Sequence, residues 1–164
     1  MLLLKQELNF NKMDSIIKRN NSNFVWLRND KTVGNLSFYS GSNLEAQIKI
    51  NDTELYEIKP YGWFEQKIKI TKDSNTICEL KLSFWQSKMI ISFAKEKYLL
   101  SSKGFFSNFF VLKNEESEIL FELRFSRKIN NFKVILNHNK EISDLVKMLA
   151  VYGAINITKS NYQS

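Results

Sequence analysis

The stretch YGWFEQKIKITKDSNTICELKLSFWQSKMIISF, residues 61–93, decides the fold. Within it Cys78, Leu80, Leu82 and Phe84 share one parity, while Ile77, Glu79, Lys81 and Ser83 share the other. A period of two with apolar residues on one side is the mark of a half-buried strand. Asp73-Ser74-Asn75 separates this run from the alternating Lys67-Ile68-Lys69-Ile70, and residues of that kind favour a tight turn. The stretch therefore predicts successive antiparallel strands, with Lys69 opposite Glu79 across a hairpin.

Working outward, the same pattern is written again downstream. Ile68 and Ile70 correspond to Phe110 and Leu112, and Ile77 corresponds to Ile119. Glu79-Leu80-Lys81-Leu82-Ser83 corresponds to Glu122-Leu123-Arg124-Phe125-Ser126, and Met89, Ile91 and Phe93 to Phe132, Val134 and Leu136. This places Ile119, Phe121, Leu123 and Phe125 on an inward face. A fainter copy lies upstream, where Leu36 and Phe38 stand for Leu80 and Leu82, and Ala46, Ile48 and Ile50 for Met89, Ile91 and Phe93. Internal repetition of this kind governs the architecture. Three copies, at about 2–50, 54–93 and 97–136, each hold about four strands, separated by turns such as Asn29-Asp30-Lys31, Asn51-Asp52 and Asn114-Glu115-Glu116. In the first copy LLLKQELNF reads as an opening strand, and MDSIIKR as the next strand or a short helical turn. About twelve antiparallel strands in a chain this short are expected to close into a barrel, because an open sheet leaves two unpaired edges.

The period then changes. From 140 to 155 it is helical, with Asn139 as N-cap and Lys140, Glu141 and Asp144 in the first turn. Leu145, Val146, Met148, Leu149, Val151, Tyr152 and Ile155 cover almost the whole circumference. A helix apolar all round is buried on all sides, and the space left for it is the inside of the barrel. The fold expected is one mainly β domain, residues 1–158, plugged by a hydrophobic helix, with a disordered tail at 159–164.

This architecture, together with the Trp-rich hairpin of residues 61–93, resembles the tubby-like superfamily, which includes LURP-one-related proteins and phospholipid scramblases. The likeness runs over roughly residues 23–157, and the stretch 61–93 is especially similar to small bacterial members. The resemblance implies a twelve-stranded barrel around a central helix, and a role at membranes or in binding anionic lipid head groups. The chain has no Pro-rich N-terminal arm, no Cys-rich lipidation cluster and no acidic calcium-like loop in this sequence, and no family site residue maps onto it.

Chemistry is scarce. The one histidine, His138, falls in a turn and reads as solvent-exposed, so a hydrolytic triad lacks its base. Cys78 lies on an inward strand face and reads as a small core hydrophobe; being single, it forms no internal disulfide and suits a reducing compartment. The acidic turns at 52–54 and 115–118 read as solvated loops. The five glycines are isolated, so no phosphate-cradling or dinucleotide loop is present. No enzyme activity, cofactor or metal is expected. The opening Leu2-Leu3-Leu4 is too short for the apolar part of a signal peptide, and the expected setting is the cytoplasm, with contact at a membrane surface.

The net charge of +7 admits two readings: a codon bias toward Lys and Asn, or attraction to an anionic partner. Lys49, Lys67, Lys69, Lys81, Arg124 and Lys133 fall on outward strand parity and are the candidate contacts for an anionic surface. The plainer account of the same six is a solvated strand face. In the adjacent aromatic pairs Trp63-Phe64 and Phe105-Phe106 one member of each points outward unless the strand bulges. Three roles remain. The first is a non-catalytic domain touching anionic membrane or a protein partner. The second is a carrier of small hydrophobic ligands, resembling lipocalins, and the third a binder of single-stranded nucleic acid.

Overall fold

The computed structural model describes residues 14–42, 44–62, 66–104, 108–125, 131–136 and 141–162. The described strands are β1 (Asp14–Lys18), β2 (Asn23–Arg28), β3 (Lys31–Phe38), β4 (Ala46–Ile50), β5 (Glu54–Tyr61) and β6 (Gln66–Lys72). They continue with β7 (Asn75–Ser83), β8 (Lys88–Phe93), β9 (Glu96–Ser102), β10 (Phe109–Lys113), β11 (Ile119–Phe125) and β12 (Asn131–Leu136), and helix α1 (Asp144–Tyr162) follows. Every neighbouring pair is antiparallel, and β1 pairs with β2 through Ile16 and Trp26 and with β12 through Ile16 and Phe132. The strand order thus returns on itself as a closed ring. MDSIIKR supplies a strand rather than a helical turn, while LLLKQELNF lies outside the described residues.

The hairpins follow from turn chemistry. Asn29-Asp30, Asn51-Asp52 and Asp73-Ser74 all adopt positive φ, the left-handed conformation that type I′ turns need and that Asn and Asp tolerate. The register then recurs along the chain. Phe24 faces Leu36, Ile68 faces Leu80 and Phe110 faces Leu123. Leu36 in turn faces Ile48, Leu80 faces Ile91 and Leu123 faces Val134. A bulge falls at corresponding places, after Trp26, Ile70 and Leu112. Bulges add local twist and bend a strand, which a curving sheet requires.

One of these bulges corrects the reading of β11. Lys113 pairs with Ile119 and Leu112 with Phe121, so Leu120 is the extra residue. Ile119 is therefore on the outside, 36% exposed, and Leu120 joins the core at 3%. Phe121 and Leu123 do face inward, whereas the Phe125 side chain lies outside the described residues.

Helix α1 runs from Asp144 to Tyr162, later at both ends than expected. Asn139 lies outside the described residues; the observed cap is Ser143, whose Oγ accepts the Val146 backbone N–H at 3.2 Å. At the other end residues 159–162 are helical rather than a disordered tail. The polar residues Asn156 and Thr158, which break the apolar pattern, are absorbed by the helix itself. Asn156 Nδ2 donates to the Tyr152 carbonyl at 2.9 Å and Thr158 Oγ1 donates to the Ala154 carbonyl at 2.8 Å.

Leu145, Val146, Met148, Leu149, Val151, Tyr152 and Ile155 are all buried. The helix contacts β3 and β4 on one side and β8 and β9 on the other, strands that stand nearly opposite each other in the ring. Tyr152 stacks on Phe38 with ring centroids 5.7 Å apart and donates its hydroxyl to the Leu44 carbonyl at 2.7 Å. A helix touched from opposite walls and covered on every face lies within the ring, where its side chains and those of the wall form one core.

Gly153 marks a close approach. A Cβ there would stand 2.7 Å from Met89 Sδ and 3.0 Å from Leu100 Cδ2, both in fully buried side chains. For Gly153→Ala, the helix-propensity gain of about 1 kcal/mol offsets the displacement of a flexible thioether. Gly153→Leu has no such room. It is expected to lose about 3 kcal/mol by overpacking, seen as a lower urea midpoint, and an unchanged midpoint would disprove the tight fit.

Candidate functional site

Among the described residues α1 occupies the interior, and the outer wall and the two ends are the surfaces considered for recognition. The six outward basic residues do not form one patch. Lys67 faces Lys81 across β6 and β7, and Lys69 faces Glu79 on one side and Lys59 on the other. Arg124 stands in β11 opposite Lys133 of β12, on a distant part of the ring, with its guanidinium 4.5 Å from the centre of the Phe109 ring. The Lys133 side chain lies outside the described residues. Lys49 sits alone near the far end of β4, 3.5 Å from Asp52. The group on β6 and β7 is the one that gathers.

Charges of both signs stand at the end where α1 begins, where Lys31, Lys95 and Lys97 are exposed beside the acids. The turn tips there carry the exposed acids Asp30, Asp52, Asp73, Glu115 and Glu116. At the opposite end stand Lys67, Lys81, Lys88 and Lys103, and Lys159 in the last turn of α1. Lys159 is half-buried; desolvation, helped by the nearby charge of Lys18, lowers its pKa from the ordinary lysine value.

The turn between β7 and β8 presents Trp85 at the basic end. Its side chain is 93% exposed. The turn is braced: Phe84 packs against the core, Ser87 N–H donates to the Phe84 carbonyl at 3.1 Å, and Ser102 N–H donates to the Ser87 carbonyl at 3.1 Å. In the adjacent wall Tyr61, Lys67, Lys81 and Ile90 lie side by side on four successive strands, and Tyr61 and Ile90 are exposed. Sequence parity alone passes over Trp85, because it falls in the turn where the alternation lapses. The signal available was a Trp set among Ser, Gln and Lys in SFWQSK. The pairs Trp63-Phe64 and Phe105-Phe106, and His138, lie outside the described residues.

The places considered for catalysis have other occupations. Cys78 is buried, and desolvation pushes its thiol up to about 12, so at neutral pH it is a protonated core group. Glu54 accepts from Lys72 at 2.7 Å and from the Tyr56 hydroxyl at 3.1 Å, contacts that hold its pKa below the usual carboxylate range. A shallow cavity of about 230 Å³ lies at the end where α1 begins, lined by Glu96, Lys97, Tyr98, Asn114, Glu115 and Glu116. That is smaller than a typical organic-ligand pocket of about 300–1,000 Å³. Among the described residues no group of three or more His, Cys, Asp or Glu is placed to hold a metal ion, and no helix is long and apolar enough to cross a membrane. No family model, curated protein or solved structure matches the chain.

Proposed function

We propose that the chain is a tubby-like domain made of three four-stranded copies, non-catalytic, which docks through its outer surface on an anionic membrane. The observation that carries this reading is the division of the molecule. The inside is taken up by α1, while among the described residues the exposed aromatic side chains collect on the outside of one end, with lysines beside them. The recurring registers support the threefold reading. The place of α1 among the described residues counts against a hydrophobic-ligand carrier, and the outward lysines suit a surface whose potential attracts basic side chains at about 1 kcal/mol each.

Sedimentation of the pure protein with vesicles tests the proposal. It is expected to pellet with vesicles of mixed phosphatidylcholine and phosphatidylserine, not with phosphatidylcholine alone, and to be released as salt rises and screens the charges. Equal recovery in the supernatant with both vesicles would sink the membrane role and leave a protein partner as the ligand of the outer wall.

A further inference from the structure

We propose that the basic end of the barrel is the membrane-facing end, with Trp85 entering the lipid headgroup layer and Lys67, Lys81, Lys88 and Lys103 drawn to the anionic groups around it. This deepens the membrane reading and rests on it. Three observations converge on the same end. Trp85 is almost fully exposed although burying so large an aromatic surface is favourable, and tryptophan and tyrosine are the side chains that settle at a membrane–water interface. It stands on a turn braced to β9 and anchored by Phe84, so little conformational freedom is lost when it inserts. The hairpin that carries it has charges of one sign: between Glu79 and Phe93 the sequence contains Lys81 and Lys88 and no carboxylate.

The opposite end adds direction. Its exposed acids Asp30, Asp52, Asp73, Glu115 and Glu116 are mixed with the exposed Lys31, Lys95 and Lys97. Among the described residues the exposed aromatic side chains Tyr39, Tyr61 and Trp85 all lie toward the other end, so the aromatic side chains orient the barrel with Trp85 leading. Lys103 also lies 3.5 Å from Glu122 and over the Phe109 ring. These contacts hold it at the rim without covering it, since its side chain is 50% exposed.

The test uses the whole chain with a polarity-sensitive dye on a cysteine introduced by Gln86→Cys, next to Trp85. Cys78 is buried and stays unlabelled. A control protein carries the dye through Asp73→Cys at the other end. With phosphatidylcholine–phosphatidylserine vesicles the dye at position 86 is expected to shift to the blue, and the dye at position 73 to stay unchanged. Trp85→Ala is expected to weaken vesicle partition roughly tenfold, and Lys88→Gln about fivefold, with unchanged urea midpoints because both side chains are exposed. Binding to vesicles with no response at position 86, or with the response at position 73, would overturn this orientation while leaving the membrane role intact. Absence of binding to the anionic vesicles would overturn both.

Discussion

A chain ending at Ser143 is expected to lose cooperative unfolding altogether. Helix α1 contributes ten buried apolar side chains, and each of those larger than alanine is worth roughly 1.5–3 kcal/mol of burial. Their sum reaches or exceeds the roughly 5–15 kcal/mol by which a domain of this size is stable. The inward residues, among them Ile48, Ile68, Met89 and Leu100, would then face water or collapse on one another. Near-ultraviolet circular dichroism should vanish, the thermal transition should broaden away, and a dye for exposed apolar surface should bind. A truncated chain that still melts cooperatively and takes up a fatty acid would show the wall standing alone as a cup. The carrier reading would then replace the membrane one.

Arg28→Met is expected to cost about 3 kcal/mol near neutral pH. Arg28 joins three elements: its Nε donates to Asp14 Oδ1 at 3.2 Å, at the start of β1, and its Nη2 donates to Asp144 Oδ1 at 2.9 Å, at the start of α1. The Asp14 side chain is wholly covered while that of Arg28 is 23% exposed. Removing the cation strands a buried carboxylate, which costs about 3–5 kcal/mol when the pair is fully dry; the partial exposure of Arg28 puts this case at the lower end. Adding Asp14→Asn to the variant should recover part of the loss.

The pH dependence has a definite sign. Burial acts to raise the pKa of Asp144, but the hydrogen bond and charge of Arg28, with Lys147 adding, outweigh it and hold the group below its ordinary value. A depressed carboxylate contributes its full stability above the unfolded pKa and loses it as pH falls through the folded one, which here lies below the ordinary aspartate value. The gap in urea midpoint between wild type and Arg28→Met should therefore be wide near neutrality and narrow as the pH falls below the ordinary carboxylate range. An equal gap throughout would mean that Arg28 acts through packing alone.

Strand parity made much of the wall legible in advance. Cys78, Leu80 and Leu82 face inward as their spacing implies, and Lys69 does stand opposite Glu79. Ile119 was misplaced because a bulge reverses the alternation, and a bulge depends on the partner strand, which a single run of residues does not reveal. The helix was legible where it is apolar, but its ends were not. Ser143 looks no better a cap than Asn139 until the chain is folded, and Asn156 and Thr158 look like an exit until their hydrogen bonds to the preceding turn are seen. Of the candidate interface, Lys67 and Lys81 were read correctly as outward, but Lys49 and Arg124 share no surface with them. Convergence of charge is a property of the closed arrangement, and Trp85 stands out only once its turn is known to project.

Sulfur sits at both tight seams between helix and wall. Met148 of the helix rests on Gly34 of β3, where a Cβ would stand 3.2 Å from its sulfur, and Met89 of β8 rests on Gly153 of the helix. Both thioethers are sealed from solvent, so peroxide reaches them only when the helix leaves its seat. Oxidation would add a polar oxygen where no donor and no space await it, and the helix could not return. In an oxidising medium each brief opening thus becomes a one-way step, and the rate of sulfoxide formation counts the openings.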